Sequence, residues 1–315
     1  MRVMRTKDYG NRNAVLLEGE SVRVVVSDKG GMVPELSFPS GRGWYNTHWI
    51  PHFRRNVSSS YSESEHGGTW PVELLYEIAG NFLCLPNFGG PCKAYDLDIL
   101  AHGLTANAPW SCDSWGEFAG RAVYQRSSIA PSDAYNSIPL SVIKYDVVFD
   151  DHPGHYVYLR VKNTGDRPYR TNLGWHNTIG APFLAPGCRI DLCADAFATP
   201  PKPSEFDETT RLATGAIFDD LGKAPLADGG TVDLHLVPGM IGYTDFITGA
   251  VPESADIGWS SVVNPAAGAL YLSVFPGPAK VDGKQIPINF NNLWMQYGGV
   301  RPPLPQAHSH PRFFP

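Results

Sequence analysis

Val22-Arg23-Val24-Val25-Val26-Ser27-Asp28-Lys29-Gly30-Gly31-Met32 decides the fold class. A β-branched run stops at an Asp-Lys-Gly-Gly turn, and residues 32–38 resume as strand, so the segment reads as a hairpin. The same signal recurs at 74–78, 97–101, 117–126, 141–149, 156–163, 169–175, 189–193, 234–237, 241–247, 269–275 and 286–297. Turn clusters such as Asp150-Asp151-His152-Pro153-Gly154 and Asn163-Thr164-Gly165-Asp166 lie between these runs. Many short strands at this spacing predict a sandwich or barrel. Helical periodicity is nearly absent. Only 204–215, after the breaker Thr199-Pro200-Pro201-Lys202-Pro203, holds room for a helical turn or two. The expectation is all-β: one large antiparallel β-sandwich over 1–315 with few short helices, ending in a Pro-rich tail over 300–315. The polar, irregular stretch 46–68 is a long loop of the kind that borders a binding cleft.

Composition narrows the function. Hydrophobic residues make up 43% of the 315, which places the chain among folded rather than disordered proteins. The formal net charge is −6, so no basic footprint for nucleic acid or an anionic membrane is present, and a neutral small molecule is the expected partner. No apolar run approaches the ~18 residues of a membrane span, and the polar N-terminus lacks a signal-peptide core. Five cysteines, Cys84, Cys92, Cys112, Cys188 and Cys193, are too few and too irregular for a disulfide framework. Free thiols and a cytoplasmic location are expected. No phosphate loop, dinucleotide fingerprint or nucleophile elbow is present, and no cofactor is expected.

Two histidine segments carry the chemistry. The first runs from Gly80-Asn81-Phe82-Leu83-Cys84-Leu85-Pro86-Asn87-Phe88-Gly89-Gly90 to Ala101-His102-Gly103-Leu104, with Trp110 following. The second is Leu173-Gly174-Trp175-His176-Asn177-Thr178-Ile179-Gly180. Two histidines that end apolar runs, beside aromatics able to stack on a sugar ring, resemble the galactose mutarotase-like (aldose 1-epimerase) superfamily. That resemblance implies a large β-sandwich and an isomerase that interconverts sugar anomers. It implies that His176 is the acid that protonates the ring oxygen, that His102 assists it, and that Asn87 contacts the sugar. Histidine suits the role because its ordinary pKa lies near neutrality.

The match departs from the family in two places. Phe88 stands where many members carry an Arg directly after the Asn, and Arg54 or Arg55 could supply that guanidinium instead. The late strand, Ile288 to Gly299, is followed by no Glu or Asp, so the usual carboxylate base is missing. Asp245 is the first substitute and also resembles a sugar-binding acid of the family; Glu117 is the second. Gln296 can bind a hydroxyl, and His308 and His310 are the titratable groups of the tail. Of the many tryptophans, Trp110 and Trp175 are the expected stacking platforms because they flank the histidines. The competing readings are a core or turn-satisfying role for each histidine and a surface role for each carboxylate. A metal held by His66, His102 and His176 is the less favoured alternative, and none is expected. Two other functions stay open: a different proton transfer on a modified sugar or non-sugar, and a carbohydrate-binding protein without catalysis.

Overall fold

Cross-strand pairing organises the chain into short antiparallel sheets. The structure is a computed structural model that describes residues 1–51, 61–67, 72–280 and 288–298. The chain divides into two compact units, Met1–Ile179 and Gly180–Pro315. No described helix is long and apolar enough to cross a membrane.

In the first unit, β1 (Arg2–Lys7), β2 (Asn13–Glu18), β3 (Arg23–Ser27), β4 (Glu35–Ser40) and β5 (Gly43–Asn46) form a five-stranded antiparallel sheet in chain order. The hairpin read at 22–38 is β3–β4, with Arg23 opposite Ser37. Two short helices follow, α1 (Glu63–His66) and α2 (Glu73–Glu77), then the short strands β6 (Phe82–Cys84), β7 (Cys92–Ala94) and β8 (Leu97–Ile99), and a third helix, α3 (Gly103–Asn107). A second antiparallel sheet holds β9 (Ser111–Phe118), β10 (Ala122–Ile129), β11 (Leu140–Phe149) and β12 (His155–Asn163). The chain then returns as β13 (Gly174–His176) to pair with β6.

The two sheets pack face to face. Val15, Leu17, Val22, Val24, Val26 and Val33 meet Val123 and Val148 in one apolar cluster. Ile129, Leu140 and Val142 meet Leu83, Leu85, Leu104 and Trp110 in another, so β10–β11 also supports β6 and α3. Each such aliphatic side chain contributes about 1.5–3 kcal/mol on full burial.

In the second unit, β14 (Arg189–Leu192), β15 (Ala196–Ala198), β16 (Ile217–Phe218), β17 (Ala224–Pro225), β18 (Thr231–Val232), β19 (Tyr243–Ala250), β20 (Ile257–Asn264), β21 (Ala269–Pro276) and β22 (Phe290–Tyr297) make two sheets and a ribbon. The sheets run β14-β20-β21 and β16-β15-β19-β22. The Asn291 side-chain amide joins them by donating to the carbonyls of Cys193 (3.0 Å) and Trp259 (3.1 Å).

Several expected strands differ. Residues 74–78 carry α2, because a short apolar run does not separate strand from helix by period. The run 117–126 is broken by a turn in which Ala119 (φ 50°) and Gly120 (φ 64°) take left-handed conformations, making the β9–β10 hairpin. Residues 169–173 are irregular, and only Gly174–His176 is strand. Leu236 makes a lone bridge to Arg189 where 234–237 was expected to be strand. Residues 205–209 form turns rather than helix. The tail 300–315 lies outside the described residues.

One charged network lies inside the first sandwich. β11 alternates inward and outward, and the inward set is Leu140, Val142, Lys144, Asp146 and Val148. Lys144 Nζ donates to the Gly31 carbonyl (2.7 Å) and pairs with Asp146 (3.1 Å); Asp146 also meets His155 Nε2 (3.0 Å). Burial pushes the Asp146 carboxyl up, but Lys144 and His155 outweigh it and hold it below the usual carboxylate range. This pairing therefore contributes stability that is present above the unfolded-state pKa and is lost as pH falls through the lowered one. Lys144→Met should cost about 3–5 kcal/mol, since it strands a buried carboxylate. Urea denaturation at pH 7 measures it, and a loss below about 1 kcal/mol would refute the uncompensated charge.

Candidate functional site

The β6–β13 ribbon sets the site. Its register places Gly174 opposite Cys84, Trp175 opposite Leu83 and His176 opposite Phe82. Because strand side chains alternate, Phe82, Cys84, Gly174 and His176 share one face, and Leu83 and Trp175 the other. The His176 imidazole stacks on the Phe82 ring, with centroids 4.6 Å apart and planes 11° apart.

His102 reaches the same face from α3. Its backbone is left-handed (φ 57°), and Gly103 after it has φ 70°. A Cβ at Gly103 would lie 2.4 Å from the Leu85 carbonyl oxygen, so only glycine lets the chain pass here. Four hydrogen bonds hold this turn. The His102 amide donates to the Gly89 carbonyl (3.0 Å), the Thr105 hydroxyl to the Leu83 carbonyl (2.6 Å), and the Asn107 side chain to the carbonyls of Ala101 and Gly103 (2.8 and 2.7 Å). The His-Gly pair thus presents its imidazole edge-on to His176, at 5.3 Å between centroids and 89° between planes.

Phe88 closes the group. Its ring lies 5.5 Å from that of His102 and 6.1 Å from that of His176. It can do so because residue 174 is glycine: a Cβ there would come within 2.2 Å of the Phe88 ring. Two imidazoles and two phenyl rings therefore form one aromatic box, in which the Phe82 ring is fully buried and the other three rings are partly exposed.

Hydrogen bonds define the proton positions. His102 Nδ1 receives the Gly89 amide N–H (3.2 Å) and lies 3.2 Å from the Cys84 thiol. An amide only donates, so Nδ1 is the acceptor and the neutral ring carries its hydrogen on Nε2. His176 Nδ1 lies 2.9 Å from the Thr178 hydroxyl, and Thr178 is itself fixed by its amide donating to Asn81 Oδ1 (2.8 Å). Burial pushes the His102 pKa down to about 4. Burial, followed by repulsion from His102, pushes that of His176 down to about 3, against the opposing pull of the Asn177 carbonyl. Burial raises the Cys84 thiol well above its ordinary value. At pH 7 both rings are neutral and the thiol is protonated.

The other expected residues fall elsewhere. Asn87 is buried in the turn, its amide donating to the Gly90 carbonyl (2.6 Å) and shaping the loop that delivers Gly89. Trp110 is no stacking platform. It is only 4% exposed, its indole N–H donates to the Thr105 carbonyl (2.9 Å), and it packs in the core. Trp175 is likewise turned away from His176 and packs against both apolar clusters. Glu117 is exposed on β9 and shares no bond with either histidine. Asp245 belongs to the second unit and is fully buried. Its Oδ1 accepts from the Thr210 hydroxyl (2.9 Å) and the Arg211 amide (3.0 Å), and its Oδ2 from Arg211 Nε (2.7 Å). Full burial and three accepted hydrogen bonds commit this carboxylate to the packing of its own unit. Gln296, also buried in that unit, accepts the Gly298 amide (3.1 Å) and leaves Nε2 without a hydrogen-bond partner among the described residues. Arg54, Arg55, His308 and His310 lie outside the described residues. Among the described residues no three His, Cys, Asp or Glu side chains group as metal ligands, so the His66, His102, His176 set does not form.

Sequence reasoning missed Cys84, Gly89, Gly174 and Thr178. Strand period offered a signal for one of them: Cys84 is two residues from Phe82, on the face that His176 joins. Gly174→Ala should push the Phe88 ring aside and cost about 1–3 kcal/mol. Adding Phe88→Ala should recover part of that loss, which a double-mutant cycle by urea denaturation reads directly; additive losses would mean the two sites do not touch.

No family model matches the sequence, and no curated protein does. Solved structures do match. One from Klebsiella pneumoniae, described as a candidate aldose 1-epimerase, aligns with TM-score 0.62 at 14% identity over 90% of this chain; the chain spans 66% of that protein's length. A galactose mutarotase-like protein from Clostridium acetobutylicum aligns with TM-score 0.52 at 14% identity, covering 93% of this chain and 94% of its own. A Synechocystis protein aligns with TM-score 0.52 at 14% identity, covering 93% and 97%. The sequence has diverged far from these neighbours, and what it shares with them is the architecture: the chain has the galactose mutarotase-like fold.

Proposed function

We propose that this chain is an isomerase of the aldose 1-epimerase type, interconverting the anomers of a free sugar or a related carbohydrate by proton transfer at the His102–His176 pair. The observation that carries this reading is the edge-on contact of two neutral imidazoles, 5.3 Å apart, within the aromatic box of Phe82 and Phe88. A neutral imidazole accepts a proton on one nitrogen and donates a hydrogen bond from the other, and an aromatic wall suits the C–H face of a sugar ring. The described fold neighbours include a candidate aldose 1-epimerase, which supports the same chemistry. The reaction itself needs no redox or group-transfer step. It needs a proton removed from the anomeric hydroxyl, one delivered to the ring oxygen, and rotation about the C1–C2 bond.

A second reading has its own support. Phe88 covers both imidazoles with a phenyl ring, a surface suited to a less hydroxylated ligand. A proton transfer on a modified sugar or a non-sugar carbonyl compound uses the same pair.

The deciding test is mutarotation of freshly dissolved α-glucose and α-galactose, followed by polarimetry or proton NMR. Wild type should accelerate it, and His176→Ala should lose about 10²–10⁴-fold of the acceleration while retaining the wild-type circular dichroism spectrum. Folded wild type with no effect on either sugar would move the assignment to the second reading. A panel of deoxy sugars and small keto compounds, followed by solvent-deuterium incorporation, tests that reading.

A further inference from the structure

We propose that the second unit carries a binding cleft of its own, built around Arg211, that takes a neutral polyhydroxylated ligand such as a sugar ring. The cleft belongs to a different unit from the histidine pair, and its occupancy does not depend on the chemistry proposed there.

Residues 209–213 are tied by their backbone to two elements. The Thr244 amide of β19 donates to the Thr209 carbonyl (2.9 Å). The Ala227 amide donates to the Arg211 carbonyl and the Ala213 amide to the Pro225 carbonyl, both at 2.9 Å, which joins the segment to the β17–β18 ribbon. Leu212 also bridges Leu226. Held in this way, Thr210 and Arg211 line a cleft of about 400 Å³. Leu226 and Asp228 from the turn of the ribbon, Thr231 and Val232 from β18, and Tyr243 from the start of β19 line it as well. Small-molecule sites span roughly 300–1,000 Å³, so the cleft has room for a ligand of that kind.

Asp245 fixes the arginine. The carboxylate accepts from the Thr210 hydroxyl (2.9 Å) and the Arg211 amide (3.0 Å) on one oxygen and from Arg211 Nε (2.7 Å) on the other. Only one N–H of the guanidinium is used, and the terminal nitrogens have no hydrogen-bond partner among the described residues. The Asp245 side chain has no exposure, whereas that of Arg211 keeps 16%, so the part of this ion pair open to the cleft belongs to the arginine. An arginine anchored through Nε offers its remaining donors as a planar fork and loses little further freedom when a ligand arrives.

Charge selects the class of ligand. Asp245 already neutralises Arg211, and among the described lining residues Asp228, exposed at the turn of the ribbon, is the only other one charged at pH 7. An anion would meet Asp228 with no second cation to offset it, and a cation would meet the guanidinium. A neutral ligand with several hydroxyl groups suits both. Its oxygens accept from the guanidinium, its O–H groups donate to Asp228, and the Thr231 hydroxyl serves in either sense. Tyr243, 42% exposed, supplies an aromatic wall for C–H groups, and Leu226 and Val232 add apolar surface. A sugar ring has this pattern, with hydroxyls around its edge and C–H groups on its faces.

The test is a titration of the intact ¹⁵N-labelled chain with methyl α-glucoside, methyl α-galactoside and methyl α-maltoside, followed through amide and arginine Nε–H shifts. These glycosides are locked at the anomeric carbon, so no turnover intervenes. At least one should bind and shift Thr210, Arg211, Thr231 and Tyr243 together, in wild type and in His176→Ala alike. Tyr243→Ala, at an exposed position, should raise Kd about two- to tenfold. Arg211→Lys keeps a cation beside Asp245 but loses the fork, and should raise Kd about tenfold. The absence of shifts at these residues up to about 50 mM glycoside overturns the site. Shifts that vanish in His176→Ala place the ligand at the histidine pair and overturn it too. Binding of sodium glucuronate or inorganic phosphate at these residues, with no response to any methyl glycoside, marks an anion site and overturns the ligand class. Mutarotation of free sugars is measured separately, so failure of either reading leaves the other intact.

Discussion

Three cross-strand pairs between β6 and β13 hold the site together. Strand register is discrete: a slip of one residue would exchange the faces and bring Leu83 and Trp175 to the site in place of Phe82 and His176. The apolar face fixes that register, because Leu83 and Trp175 are anchored in the clusters supplied by β10 and β11. The position of an imidazole at the surface is thus decided by packing on the opposite side of the same ribbon. Gly103 and Gly174 add a second constraint, since each removes a Cβ where backbone or ring must approach closely.

Desolvation turns this geometry into chemistry. Both rings sit against phenyl groups, and each charged form is penalised by burial and by its neighbour. The site is therefore neutral at pH 7, and the Gly89 amide fixes His102 Nδ1 as an acceptor. Two neutral rings can stand in contact where two cations could not.

The sequence reading found the fold class because alternation and turn chemistry are local. β11 shows its period over ten residues, and the β3–β4 hairpin is marked by the glycines at its turn. It singled out His102 and His176, which the fold brings into ring contact, because both sit at ends of apolar runs. It misplaced Trp110 and Trp175 because adjacency in sequence is not adjacency in a strand: a residue beside His176 points to the other face. Asp245 was misread for a different reason. Its partners, Thr210 and Arg211, lie 35 and 34 residues away in the chain, and no local pattern announces them. The Cys84–His102 contact spans 18 residues and was equally invisible.

The buried carboxylates complete the argument about charge. Asp146 is matched by Lys144 and His155, Glu77 by Arg12 at 2.9 Å, and Asp245 by Arg211 at 2.7 Å. Among the described residues these buried carboxylates are ion-paired, with Asp8 sharing Arg12 with Glu77, and leaving one unpaired would cost several kcal/mol. The histidine pair receives no such compensation: the hydrogen bonds and ring contacts described for its two imidazoles include no carboxylate. With no such partner among the described residues, burial keeps both rings neutral at pH 7.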